Sequence, residues 1–100
     1  ILILSTFANK KEARKIGKGL LEKKLIVCYN LLPVESAYWW KNKIVDENEV
    51  LMIIKTRKKN FKKIEELILK NHSYKTPEII AVEPKEVSEK YLKWIEEVTE

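Results

Sequence analysis

The sequence has little of what secreted, membrane-spanning or disordered proteins need. Its single cysteine cannot form an internal disulfide, so we expect a fold held together without such bonds, in a reducing compartment. Two glycines and three prolines in 100 residues exclude collagen, low-complexity disorder and Pro/Gly-rich linkers. The longest apolar runs are far shorter than the ~20 residues of a membrane helix.

The chain start also lacks a targeting pattern. Its first four residues are apolar, but no basic segment precedes them, so no secretory signal is expected. We therefore predict one domain over residues 1–100, located in the cytoplasm, with no membrane partner.

What is abundant is charge. The chain contains twenty Lys and Arg residues and fifteen Asp and Glu residues, which give a net charge of +5. Eighteen of the basic residues are Lys, fourteen of the acidic residues are Glu, and Gln is absent. This bias is typical of hyperthermophile proteins, although AT-rich genomes also favour Lys. Lys interleaved with Glu is typical of a solvated surface, so no nucleic-acid partner is predicted.

Hydrophobic periodicity predicts seven elements in the order β-α-β-β-α-β-α. In chain order they cover residues 1–6, 9–24, 25–40, 44–56, 61–68, 78–82 and 87–98. This order describes an α/β fold of the α+β sandwich type, a ferredoxin-like βαββαβ arrangement with one extra C-terminal helix.

Four local patterns make the element assignment specific. The apolar run Ile1–Thr6 is typical of a strand covered on both faces. Asn9 and Glu12 have the spacing of a capping box, and Asn60 is predicted to cap the second helix. Gly17 inside a helix costs about 1 kcal/mol relative to Ala, which favours close packing of that helix on the sheet.

The central hairpin, Leu25 to Thr56, is unusually long. Each arm has about 14–16 residues and could reach ~45 Å, whereas a 100-residue domain has a radius of gyration near ~13 Å. The arms must project beyond their own sheet or bend at Pro33. Projecting edges that carry Tyr38, Trp39 and Trp40 need cover, so we predict an oligomer formed by strand pairing around residues 34–48.

Six motifs are spread over nearly the whole chain: Ser5-Thr6, Cys28, Ser36-x-Tyr38-x-Trp40, Glu49–Thr56, His72-x-Tyr74-x-x-Pro77-Glu78 and Tyr91-Leu92-x-Trp94-Ile95. In this order and spacing they resemble the CutA family of divalent-cation tolerance proteins. The resemblance implies a homotrimer assembled through the hairpin and similar to PII-type signalling proteins, with clefts between subunits. It also implies binding of copper(II) or another divalent cation and no established catalytic reaction.

Two residues are candidate metal ligands, His72 and Cys28. Imidazole suits copper, zinc and nickel, but a lone His is also typical of a hydrogen-bonded residue at a helix end. Cys28 is a soft metal ligand, a redox thiol or a buried small hydrophobe. Some CutA proteins carry Cys where this chain has Ser5 and a second His where it has Asn71, so of the implied ligand set only His72 remains.

Other side chains are candidates for binding a ligand in the cleft that the resemblance implies. Lys55 and Glu78 lie inside the family motifs, and we predict that they pair across that cleft near His72. The basic residues between Arg57 and Lys63 form either an anion site at a helix start or a solvated face.

The remaining aromatic residues also allow two interpretations. Tyr38, Trp39 and Trp40 form either a nucleobase-stacking platform or an interface, and interface packing explains them better. Tyr91 and Trp94 are predicted to lie in the core or at a subunit contact.

We predict a non-enzymatic, trimeric protein that binds copper(II) or another divalent metal ion and functions in metal tolerance. The alternative is a PII-like signalling or small-anion-binding module with its ligand between subunits. A catalytic Cys28–His72 pair would need an orienting group and an oxyanion site, and the sequence has a motif for neither.

Overall fold

The computed structural model describes residues 1–100 and has the predicted element order. The strands are β1 (Leu2–Phe7), β2 (Cys28–Trp40), β3 (Lys43–Lys55) and β4 (Ile80–Val82). The helices are α1 (Lys10–Glu22), α2 (Phe61–Asn71) and α3 (Glu89–Val98), with a short 3₁₀ turn at Lys58–Asn60 before α2. The strands form one antiparallel sheet in the order β2-β3-β1-β4, which confirms the ferredoxin-like arrangement. None of the three helices has the length and apolar character to cross a bilayer.

One face of the sheet packs on α1 and α2 and forms the core. Alternate residues of β1 are buried, and they pair with the buried alternate residues of β3. The core cluster consists of twelve residues: Ile3, Phe7, Ala13, Ile16, Leu20, Leu25, Ile26, Val50, Met52, Ile54, Ile64 and Ile68.

The opposite face of the sheet has no helix over it. Leu2 and Leu4 lie on this open face, opposite Val82 and Ile80 of β4, which are about half exposed, and Leu32 of β2 is also exposed. The first strand was predicted to be covered on both faces. Within a single chain, helices cover only one of its faces. We call this uncovered surface the open face.

Both strands of the hairpin are longer than the neighbouring strand β1. β2 and β3 pair without interruption from Cys28↔Lys55 to Trp40↔Lys43, through Pro33, so the chain does not bend back there. The turn residues Lys41 and Asn42 both have positive φ (49° and 63°), as a two-residue hairpin turn requires. β1 pairs only with residues 50–55 of β3, which leaves residues 43–49 paired with β2 alone. The longest dimension of the molecule is 45 Å.

Several predicted boundaries are wrong for identifiable reasons. Lys24 adopts a left-handed conformation (φ 56°), which ends α1 at Glu22, and the chain enters β2 only at Cys28 because Leu25–Val27 pack into the core. Only Ile80–Val82 pair in β4, since the Glu78 carbonyl accepts a hydrogen bond from Ser5 Oγ (2.7 Å).

Asn60 also has a different role from the predicted helix cap. Its Nδ2 donates to the carbonyls of Leu25 (3.1 Å) and Glu100 (2.9 Å), and it makes no capping bond to α2. Asn9 does cap α1, accepting from Glu12 N at 2.9 Å, but the Glu12 carboxylate binds Ser73 instead of completing the capping box.

Candidate functional site

His72 follows the last residue of α2, and its side chain is completely buried. Its Nε2 lies 2.8 Å from the Thr6 carbonyl, and its Nδ1 accepts a hydrogen bond from the Tyr74 backbone N–H at 2.9 Å. Its ring stacks on Phe7 with centroids 4.5 Å apart. These bonds define the neutral tautomer with the proton on Nε2.

Neither ring nitrogen of His72 is free for a metal in this arrangement. Nδ1 uses its lone pair on Tyr74, and Nε2 uses its proton on Thr6. The Glu12 carboxylate lies 3.4 Å from Nδ1 but is already bonded to Ser73. The geometry therefore fits the hydrogen-bonded His at a helix end, the alternative that the sequence left open.

Cys28 lies far from His72, on the open face. It begins β2 opposite Lys55, and its Sγ is 3.9 Å from Asn30 Oδ1. The thiol is half-buried, so it is not the buried hydrophobe of the alternative interpretation. The two predicted metal ligands thus occupy opposite ends and opposite faces of the sheet, and no group of three or more His, Cys, Asp or Glu side chains is placed to hold a metal ion.

Lys55 and Glu78 are also apart within one chain. Lys55 lies opposite Leu2 in the register, and its Nζ donates to Asn30 Oδ1. Glu78 is held near the other end of β1 by the bond from Ser5. The predicted pair is not formed by one copy of the molecule.

The basic residues before and within α2 are exposed and partly neutralised by carboxylates. Lys58 Nζ is 3.6 Å from Glu83, and Lys62 Nζ is 3.6 Å from Glu65. Exposed pairs of this kind contribute little, and the arrangement is that of a solvated face.

A cavity lies where the hairpin overhang passes the segment 74–78. This acidic groove has a volume of about 840 Å³. It is lined by the aromatic residues Tyr38, Trp39, Trp40 and Tyr74 and by the glutamates Glu35, Glu47, Glu49 and Glu78. Strand alternation puts Tyr38 and Trp40 on the same face of the hairpin as Glu47 and Glu49, and it puts Glu35 and Trp39 on the other face. The aromatic residues of the hairpin therefore line part of this cavity.

Two tyrosine–glutamate hydrogen bonds organise this groove. Tyr74 Oη donates to Glu49 Oε2 at 2.8 Å, and Tyr38 Oη donates to Glu47 Oε2. The hydrogen bond to Glu47 raises the pKa of Tyr38 to about 12. Burial, followed by the hydrogen bond to Glu49, raises the pKa of Tyr74 above its usual range. Both phenols therefore stay protonated and act as donors at neutral pH, not as bases.

Sequence reasoning did not identify Glu47, Glu49 and Tyr74 as one site. The available signal was strand alternation, because positions 47 and 49 must face the same side of β3. Glu49 is only 8% exposed although it is charged, which the sequence alone does not reveal. Tyr74 reaches it from a loop 25 residues away.

Comparison with known proteins connects this fold to one family. Residues 1–98 match the family model described as CutA1 divalent ion tolerance protein. The divalent-cation tolerance protein CutA of Thermotoga maritima is 41% identical over 97 residues, which cover 97% of this chain and 96% of that protein.

Solved structures give the same result. The structure of the periplasmic divalent cation tolerance protein CutA from Archaeoglobus fulgidus superposes with a TM-score of 0.97 and 39% identity, covering 99% of this chain and 97% of that one. CutA1 from Oryza sativa superposes with a TM-score of 0.96 and 36% identity, covering 100% of this chain and 93% of that one.

Proposed function

This chain belongs to the CutA1 divalent ion tolerance protein family, and from that premise we propose that it is a non-enzymatic homotrimer that binds copper(II) or another divalent cation. The observation that carries the proposal is that one chain has both a projecting hairpin and an uncovered apolar sheet face. Both are surfaces that a single chain leaves incomplete. Membership of this family supports a role in the tolerance of divalent cations. The trimer and the choice of copper are our inference.

Strand edges and apolar area support the assembly. Residues 43–49 of β3 have a free edge beyond β1, and an open edge this long invites pairing with another chain. Leu32, Ile80 and Val82 on the open face are at least two-fifths exposed. A second copy that covers these residues would gain about 25 cal/mol per Å² of buried apolar surface.

The residues of a single chain do not fit a metal ion. His72 has no free nitrogen, and Cys28 has no second soft ligand near it. Cys28 does lie on the open face, where the assembly proposed above would bring side chains of another copy. A copper site in this protein therefore depends on assembly, and Cys28 is its first candidate ligand.

The alternative, a small-anion-binding module, has less support from charge. Four glutamate residues and a single lysine, Lys75, line the groove. Such a groove repels an anion unless another copy supplies cations.

Sedimentation velocity tests the assembly directly. We expect a trimer at micromolar concentration, and Leu32→Glu should dissociate it because Leu32 lies on the open face. Leu69→Glu is the matched control, since Leu69 is also exposed but lies on α2. A wild-type monomer, or equal effects of the two substitutions, would overturn the trimer proposal.

Calorimetric titration tests copper binding. We expect copper(II) to bind the assembled protein, Cys28→Ser to weaken binding, and His72→Gln to bind like the wild type. Absence of binding to the wild type would refute the copper proposal. Loss of binding in His72→Gln alone, with the fold intact, would show that the ring leaves its bonds to Thr6 and Tyr74.

Domain organisation and location complete the proposal. We propose that residues 1–100 form one domain, because twelve buried residues make one continuous core. We also propose a cytoplasmic location, although the Archaeoglobus fulgidus relative is described as periplasmic. Fractionation of cells that produce the native protein tests this: recovery in a periplasmic fraction would contradict it.

A further inference from the structure

We propose that the outer face of α1 binds a linear polyphosphate chain. The site is the basic arc, which we define as the five exposed cations of this helix: Lys10, Lys11, Arg14, Lys15 and Lys18. With about 3.6 residues per turn, these side chains emerge within an arc of about 140°, directed away from the buried residues of the helix. This inference does not depend on copper binding.

The positive charge of the chain is concentrated on this helix. Residues 10–24 contain seven Lys and Arg residues and two Glu residues, so their net charge of +5 equals that of the whole chain. The other residues are balanced, with thirteen of each sign. Glu12 is hydrogen-bonded to Ser73, and Glu22 lies beyond the last cation, so no carboxylate is interleaved with the basic arc as on an ordinary solvated surface.

The cations of the basic arc have no partner within the chain. None of the three ion pairs of the structure involves a cation of α1. Like charges four residues apart, as at Lys10–Arg14 and Lys11–Lys15, destabilise a helix. Two cations in the first helical turn also oppose the helix dipole. A bound polyanion would relieve both effects.

Assembly through the open face would leave the basic arc in solvent. The apolar side of α1 contributes Ala13, Ile16 and Leu20 to the core, so the helix lies on the other face of the sheet. It also takes no part in the hairpin overhang. The trimer proposed above would carry three such arcs, and one long polyanion that reaches more than one of them would gain avidity.

The chemistry of the basic arc favours bare phosphates over a nucleic acid or a membrane. Single-stranded nucleic acids stack their bases on aromatic side chains, and α1 contains none. Four of the five cations are Lys, which binds phosphate as a point charge, whereas bidentate recognition uses Arg. A membrane-surface helix inserts an apolar face, but that face of α1 is buried in the core. Inorganic polyphosphate offers a row of negative charges without bases or acyl chains.

Calorimetric titration of the full-length protein in its native assembly with sodium polyphosphate tests the inference. EDTA is present throughout, since polyphosphate itself binds divalent cations. We expect saturable binding at low ionic strength and no measurable binding of orthophosphate at the same phosphate concentration. The logarithm of the affinity should fall linearly with the logarithm of the salt concentration, because binding releases counterions.

The matched variants are two double substitutions that each remove two positive charges. Lys11→Gln with Lys15→Gln removes them from the basic arc, and Lys90→Gln with Lys93→Gln removes them from the exposed surface of α3. The α1 variant should bind polyphosphate at least about threefold more weakly than the α3 variant, with a salt slope smaller by about two. Its stability in urea should equal or exceed that of the wild type, because a like-charge pair is removed and Gln is a good helix former.

Three results would overturn the inference. They are no saturable binding of polyphosphate, equal losses in the two double variants, and tighter binding of oligothymidylate or of phosphatidylserine vesicles than of polyphosphate at equal charge concentration. The last result would identify a nucleic acid or a membrane as the partner instead. The trimer and copper binding are measured separately, so this inference can fail while the proposed function stands.

Discussion

Gly17 of α1 lies directly against the ring of Tyr29 on β2. A Cβ atom added at Gly17 would be 2.7 Å from Cε2 of Tyr29, closer than packed carbon atoms approach. A larger residue at this position would therefore have to displace the Tyr29 ring or the helix. This contact is the close packing that the sequence indicated when it placed glycine inside an amphipathic helix.

Gly17→Ala should therefore destabilise the protein although Ala is the better helix former. We expect a loss of about 1–3 kcal/mol in the free energy of unfolding, because the Tyr29 ring or the helix must shift. Urea denaturation measures this. Gly19→Ala is the matched control: nothing lies within 4 Å of its added Cβ, so a gain of about 0.5–1 kcal/mol is expected. Equal effects would contradict the close contact.

His72 should contribute to stability through its two hydrogen bonds. His72→Ala removes the partners of the Thr6 carbonyl and of the Tyr74 N–H, and it leaves a cavity beside Phe7. We expect a loss of about 3 kcal/mol or more in denaturant unfolding. Asn71→Ala, at the neighbouring exposed position, should cost less than about 1 kcal/mol. A small effect at His72 would show that its bonds form only weakly in solution.

Tyr74 should matter more than Tyr38, although both donate to a glutamate. Tyr74→Phe removes the hydrogen-bond donor of the buried Glu49, and we expect a loss of about 1–3 kcal/mol. Tyr38→Phe removes an exposed bond and should change stability by less than about 0.5 kcal/mol. Thermal or urea unfolding of the two variants provides the comparison, and the reverse order would refute this assignment.

The Tyr74–Glu49 bond also predicts a dependence on alkaline pH. The pKa of Tyr74 is raised in the folded state, so the unfolded chain loses the phenol proton first as pH rises. The stabilisation is complete below pH ~10, the pKa of an unperturbed tyrosine, and decreases above it. The difference in unfolding free energy between wild type and Tyr74→Phe should be constant from pH 7 to 9 and shrink above pH ~10. A difference that grows in that range would contradict the sign.

Composition predicts a thermostable protein. The excess of Lys and Glu and the absence of Gln are typical of hyperthermophile sequences, so we expect a melting temperature above about 65 °C by calorimetry. A lower value would favour the other explanation, an AT-rich genome.

The element order was predictable because it depends on local periodicity. The continuous apolar run of β1 is typical of a strand, and the spacing of Ala13, Ile16 and Leu20 in α1 follows from one face of that helix being apolar. The hairpin turn was predictable because Asn tolerates the positive φ found at Asn42. Boundaries were less predictable: Asn60 has the residue type of a helix cap but bonds to Leu25 and Glu100, which are distant in sequence.

The site was largely unpredictable for the same reason. His72 and Cys28 are the residue types that bind copper, but whether they meet depends on the sheet register, which separates them. Glu49 and Tyr74 belong to two motifs that are far apart in the sequence, and only the path of the loop after α2 brings their side chains to 2.8 Å from each other.

The sequence by itself determined the order of strands and helices, the overlong hairpin and the family, since these depend on local patterns and on motif order along the chain. Tertiary structure alone decided that both nitrogens of His72 are occupied and that the glutamates of the hairpin form a groove with Tyr74. It also decided that one sheet face stays uncovered. The physical reason is that a side chain's hydrogen bonds and burial are set by neighbours far away in sequence, which only the folded register brings together.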